Sequence, residues 1–296
     1  MLHQVVTHKI LVSVRQDWAR GQVAGAPPAQ VGVIELDIVN NRVLPLLVNL
    51  AAGSVWTGFW AMIALGIQHI AQGTDHLLFL LVLLLPAPLL AARGRWGAFG
   101  GVRYSLKRLL LIVTAFTLGH SLTLLTGAAG WLRLPSQSVE LLIAFSILIS
   151  ALHAVRPLFP GCEAGVAAGF GLVHGLAFAG TLANLHLDAG RMALSIFGFN
   201  LGIDLMQLFV VALTVLWRRL LSRASVYGPI RVLGGIFAGV AALAWMSERL
   251  WGQSNLLTDL VEQAATFAPW LLAALTIAAL GSYFWERSKR PAPASR

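Results

Sequence analysis

Apolar runs recur along the chain, each near the roughly 20 residues that a helix needs to cross a hydrocarbon layer. They predict spans at 74–92, 108–126, 138–155, 165–183, 192–217, 232–251 and 267–285. Residues 1–54 follow another pattern. Positions 8–16 and 31–39 read as short strands, separated by the breaker-rich stretch GQVAGAPPAQ. Two strands do not make an independent domain, so this segment is expected to be a cap on the membrane part or the tail of a larger β-rich region. Residues 55–70 carry Trp56, Phe59, Trp60 and Met62 and read as an interfacial helix with its rings at headgroup level. The expected fold is an all-α polytopic membrane protein of about seven transmembrane helices with a short N-terminal β-containing segment. Its parts are an extracytoplasmic segment at 1–54, a helical bundle at 55–286 and a basic cytoplasmic tail at 287–296.

Composition narrows the class further. The chain is 57% hydrophobic and 11% charged, with mean hydropathy +0.77, whereas soluble domains carry roughly 25% charged residues. The net charge of +9 comes from short basic clusters between apolar runs, which topology explains without nucleic acid. Fourteen of the 21 Lys and Arg residues fall on the side that holds residues 93–108, 156, 218–231 and 287–296, against seven on the other. That bias places the C-terminus in the cytoplasm and residues 1–50 outside. The lone Cys162 excludes an internal disulfide and a cysteine-built zinc or iron–sulfur site. Residues 1–50 show no apolar core after a basic start, so the first span is expected to serve as the insertion signal.

Ionisable groups inside spans are costly and mark function by default. The stretch GIQHIAQGTDHLLFLLVLLL sets His69, Asp75 and His76 against an apolar run. His69 and His76 share a face only if the helix is continuous, and Asp75 needs a turn at Gly73 or a partner from another helix. His120 and Ser121, Glu140, His174, and the one-face set Asn200, Asp204 and Gln207 all fall between the midplane and the outer surface. His153 falls near the inner end and is set apart. Each residue also has a plainer reading as an interhelical hydrogen-bond partner or a headgroup-layer residue; Ser121 in particular can bond back to its own helix. Together, imidazoles and carboxylates suit Zn²⁺, Ni²⁺ or Cu²⁺. The candidate ligands are His69, Asp75, His76, His120, Glu140 and His174, supported by Ser121, Asn200, Asp204 and Gln207. No HExxH, GxSxG or glycine-rich phosphate loop occurs.

The motifs GIQHIAQGTDHLLFLLVLLL, TLGHSLTLL, VELLIAFSI, FGLVHGLAFA and FNLGIDLMQL, in this order over 56–216, resemble the HupE/UreJ family of bacterial membrane proteins. The resemblance is to its long branch, here with a shortened N-terminal region. It implies that His69, Asp75 and His76 form the family's histidine/aspartate signature. It also implies a nickel permease or metal-supply accessory linked to hydrogenase and urease. Asp204 stands where the family pattern leads one to expect Glu, one methylene shorter.

The expected function is therefore divalent metal transport or supply, nickel-type, through an outward-facing His/Asp/Glu site in the bacterial inner membrane. The alternative is an intramembrane zinc-dependent hydrolase at the outer leaflet, with three histidines on Zn²⁺ and Glu140 or Asp75 activating its water. A third reading is a structural partner of a metalloenzyme-maturation complex. The expected partners are the lipid bilayer and a divalent metal, Ni or Zn; no nucleic acid is expected.

Overall fold

The computed structural model describes residues 9–14, 16–23, 29–37, 42–43, 53–132, 134–185, 187–221, 227–267 and 277. Most of the expected span at 267–285, the basic tail, His3, His8 and His186 lie outside the described residues.

The chain is mostly helical and carries five helices long and apolar enough to cross a membrane, or six if one bent pair counts as a span. The five are α3 (Val102–Ala128), α4 (Ser136–Val155), α5 (Glu163–Ala183), α6 (Ala189–Leu221) and α7 (Tyr227–Trp251). Their apolar runs satisfy the backbone internally, as a hydrocarbon environment demands. The bent pair is α1 (Val55–Gln72) and α2 (Thr74–Leu84), which meet at 73°. A short helix, α8 (Leu256–Thr266), follows α7.

Two features differ from the apolar pattern. Residues 55–70 do not form a free interfacial helix. They belong to α1, whose Met62, Ile63 and Ile70 are buried and whose Gly66 abuts the backbone of α6 at Phe199. The run expected to span 74–92 stops at Leu84, because Pro86 and Pro88 lack the backbone N–H that would continue the helix and their rings clash with the preceding turn. The chain then forms a hairpin, β4 (Leu89–Ala92) with β5 (Arg95–Phe99). Arg93 and Gly94 turn it with φ of 51° and 70°, the positive pair that a tight two-residue hairpin requires.

The hairpin marks one end of the bundle. Arg108 donates to the carbonyls of Ala87 and Leu89, and Trp96 donates to that of His153. The starts of α3, α5 and α7 and the ends of α2 and α4 gather there. At the opposite end, α4 starts beside the end of α7, with Gln137 donating to the Arg249 carbonyl. Near the start of α1, a 3₁₀ turn at Trp18–Arg20 seats the buried Trp18 ring on Gly58. Further out, β1 (Lys9–Val14) pairs antiparallel with β2 (Ala29–Asp37), which pairs with β3 (Arg42–Val43).

Candidate functional site

Gly73 ends α1 in an extended conformation, and α2 restarts at Thr74. The break places Asp75 in the first turn of α2, where the helix N-terminus favours an anion. Its Oδ1 accepts from the backbone N–H and from Nδ1 of His76, both at 2.8 Å. Helical phase alone keeps Asp75 from either histidine; a first turn allows neighbours to meet. Gly73 is required here: a Cβ on it would lie 2.7 Å from the His69 carbonyl oxygen and 2.9 Å from His76 Nδ1. The His69 and His76 rings, separated in sequence by the bend, come to 4.5 Å between centroids.

Two further helices complete an imidazole cluster. The His174 ring lies 5.0 Å from that of His76, and the His120 ring 6.5 Å from that of His69. His174 and His120 are 0% and 1% exposed. His120 Nδ1 lies 3.2 Å from Asn200 Oδ1, an acceptor, so Nδ1 carries the proton. Asn200 in turn donates to the Ile196 carbonyl. Ser146 Oγ gives its hydrogen to the Ile143 carbonyl and so accepts from His174 Nε2 at 3.0 Å.

Partner chemistry thus fixes the neutral tautomers, and each leaves a lone pair on the other nitrogen. Those nitrogens are His76 Nε2, His120 Nε2 and His174 Nδ1. All three are buried without a hydrogen-bond partner among the described residues, as is His69 Nε2. Leaving a buried polar atom unsatisfied costs roughly 1–3 kcal/mol. Four in one cluster are hard to reconcile with histidines that serve only as helix glue. As they stand, no three His, Cys, Asp or Glu groups among the described residues converge tightly enough to hold a metal ion. The donor chemistry suits a borderline divalent cation, and closing on one requires the rings or helices to shift.

The other expected residues divide. On α6, Asp204 Oδ1 accepts from Thr117 Oγ1 at 2.6 Å, and Gln207 Oε1 lies 3.4 Å from the same hydroxyl. This polar step is one helical turn from the His120–Asn200 pair. Ser121 donates to the Thr117 carbonyl of its own helix. Glu140 is half exposed and pairs with Arg249 at 3.2 Å, away from the rings. It lines a cavity of about 280 Å³ together with Asp75, Gln72, Trp245, Arg249 and Glu262. That cavity touches the cluster through Asp75 alone. Sequence reasoning missed Ser146 and Thr117. Their hydroxyls look like ordinary helix residues; the available signal is their position at the depth of His174 and Asn200.

The comparisons bear on the bundle as a whole. The family model described as HupE / UreJ protein matches residues 47–249, well over half of the chain. The chain belongs to the HupE/UreJ family. No curated protein and no solved structure matches it. The matched stretch contains α1 to α7 apart from the last two residues of α7, and so every residue of the imidazole cluster of this HupE/UreJ chain.

Proposed function

We propose that this membrane protein binds and passes a divalent cation, nickel-type, at the cluster of His69, His76, His120 and His174. The observation that carries the reading is the tautomer pattern. Asp75, Asn200 and Ser146 each occupy one ring nitrogen and leave the other as a buried lone pair, the arrangement by which outer partners prepare histidine ligands. The metal is cargo here. Asp75 reaches both the 280 Å³ cavity and His76, which suits a capture step. Thr117, Asp204 and Gln207 then offer oxygen atoms one turn beyond His120 and Asn200. Glu140 and Glu262 give the cavity mouth negative charge, partly offset by Arg249.

The site faces outward from the inner membrane if the hairpin end is cytoplasmic. The excess of Lys and Arg in 93–108, 156 and 218–231 supports that orientation, with the N-terminal strands outside. A metalloenzyme-maturation partner would then meet the hairpin end.

The test is uptake of radioactive nickel by cells expressing the protein. His76→Ala and His174→Ala are expected to abolish uptake while inserting at normal levels. Unchanged uptake in both would overturn the proposal. A zinc ion that co-purifies at one per chain and survives dialysis would instead support a resident cofactor and the hydrolase reading.

A further inference from the structure

The imidazole cluster lies between two helix pairs that repeat one another. In the first pair, a Cβ on Gly66 of α1 would lie 2.1 Å from the Phe199 oxygen of α6, and one on Gly202 of α6 would lie 2.1 Å from the Ile63 oxygen of α1. In the second pair, a Cβ on Gly171 of α5 would lie 2.1 Å from the Phe116 oxygen of α3, and one on Gly119 of α3 would lie 2.1 Å from the Ala168 oxygen of α5. The next-nearest atoms match as well: Ile203 N at 3.0 Å answers His120 N at 2.9 Å, each four residues after the phenylalanine.

The sequence carries the same correspondence. Gly66–Ile–Gln–His69 in α1 answers Gly171–Leu–Val–His174 in α5, and Phe199–Asn–Leu–Gly202 in α6 answers Phe116–Thr–Leu–Gly119 in α3. The two equivalent histidines also see equivalent rings: His69 is 5.3 Å from Phe199 and His174 is 5.3 Å from Phe116.

Direction shows that the copies are inverted. Within each pair the helices run parallel, since successive contacts advance along both chains: Met62 to Gly198, then Ile67 to Gly202, and Gly119 to Ala168, then Gly127 to Ala179. Between the pairs, α3 and α6 meet antiparallel, with Thr117 at Asp204 and His120 at Asn200. In chain order α1, α3 and α4 thus answer α5, α6 and α7. The third helices also pack on each other, with a Cβ on Gly235 reaching 3.1 Å from the Ala151 oxygen. One asymmetry stands out: α1 stops at Gly73, whereas α5 continues through the equivalent Phe178. That break inserts His76 between the equivalent rings of His69 and His174, at 4.5 and 5.0 Å.

Glycine approaches of this closeness lock two backbones together. None of them joins one pair to the other among the described residues. The seam between pairs is instead made of hydrogen bonds and the stacked rings of Phe178 and Phe199, 4.2 Å apart.

We propose that the α1·α6 and α3·α5 pairs are inverted copies that rock as rigid bodies about the imidazole cluster, opening it alternately to the two membrane faces. The proposal rests on the metal-transport reading above and supplies its moving parts. Inverted repeats with a site at their junction are a recurrent solution to alternating access. Rocking also gives the three lone pairs and His69 a way to close on a cation.

The test measures spin-label distances in the purified full chain with Cys162 replaced by Ser. Lipid-facing positions carry the labels. Leu111→Cys with Phe209→Cys reports the seam toward the hairpin end, and Leu125→Cys with Phe197→Cys reports it toward the opposite end. Leu118→Cys with Leu172→Cys reports the distance within one pair. All six side chains are at least 37% exposed. On addition of Zn²⁺, which is diamagnetic, the two seam distances are expected to change in opposite directions while the intrapair distance holds. Zinc bound with both seam distances fixed, or with the intrapair distance changing as much, overturns the rocking and leaves the metal reading intact. Two populations of opposite sense without any zinc bound support the rocking and overturn the metal reading. No zinc and no exchange overturns both.

Discussion

His174 and His153 are both fully buried, yet their surroundings differ in kind. His153 Nδ1 accepts from the backbone of Leu158 and Phe159 at 3.2 and 3.4 Å, and its ring stacks on Phe159 at 3.8 Å. Its Nε2 lies 3.7 Å from Glu163, whose carboxylate binds Arg108 and caps Gly161 N–H at 3.0 Å. Because Nδ1 accepts, the ring proton sits on Nε2, which faces that carboxylate without a hydrogen bond among the described residues. No lone pair is left open, and the Glu163–Arg108 pair and Trp96 hold the hairpin, α3, α4 and α5 together. At the His174 cluster, His76, His120 and His174 each donate from one nitrogen and keep a buried lone pair on the other. A buried histidine whose lone pair is taken by backbone N–H groups stabilises; one whose lone pair is left open is prepared for something else.

The comparison can be broken most severely at the hairpin end. Glu163→Leu leaves the Arg108 guanidinium buried and unpaired, and should cost about 3–5 kcal/mol of stability. Thermal unfolding in detergent would show it, while cation binding per folded molecule stays unchanged. In the imidazole cluster the pattern should invert. His76→Ala or His174→Ala should weaken Ni²⁺ or Zn²⁺ binding by about a hundredfold or more, roughly 2.7 kcal/mol, with melting temperature nearly constant.

Smaller effects sharpen the contrast. Asp75→Asn keeps an acceptor beside the His76 ring but removes the carboxylate charge, and affinity by calorimetry should fall about tenfold. Ser146→Ala removes one neutral hydrogen bond. It should cost about 1 kcal/mol of stability and only a few-fold in affinity; a larger affinity loss would mean that the hydroxyl itself is a ligand.

Much of this was legible in the sequence, and the exceptions have physical reasons. Helices α3 to α7 follow from apolar runs of spanning length. Asp75 called for a turn at Gly73 or a partner from another helix, and the break at Gly73 is the one that forms. The early stop of α2 was written in Pro86 and Pro88, but its apolar run continues to Ala92 and masks them. Helix α1 looked interfacial because Trp56 and Trp60 are indeed exposed, while its contact with α6 rests on Gly66, a residue without hydropathy. Glu140 was expected in the first turn of its span, but α4 starts at Ser136 and Glu140 falls past that turn. Its pairing with Arg249, far along the chain, depends on how α4 and α7 pack. The repeated Gly–x–x–His and Phe–x–Leu–Gly motifs are visible on the page, but four residues each carry little weight until the backbone shows them making the same contacts.

The central claim is that the histidines with an open lone pair bind a cation and that His153, whose Nδ1 lone pair accepts from the backbone, does not. Equilibrium Ni²⁺ binding to purified His174→Ala and His153→Ala, side by side in detergent, tests it most directly. The account predicts that His174→Ala loses binding while His153→Ala retains the affinity of the unmodified protein, even as its melting temperature falls. Equal binding by both variants, or loss confined to His153→Ala, would contradict it.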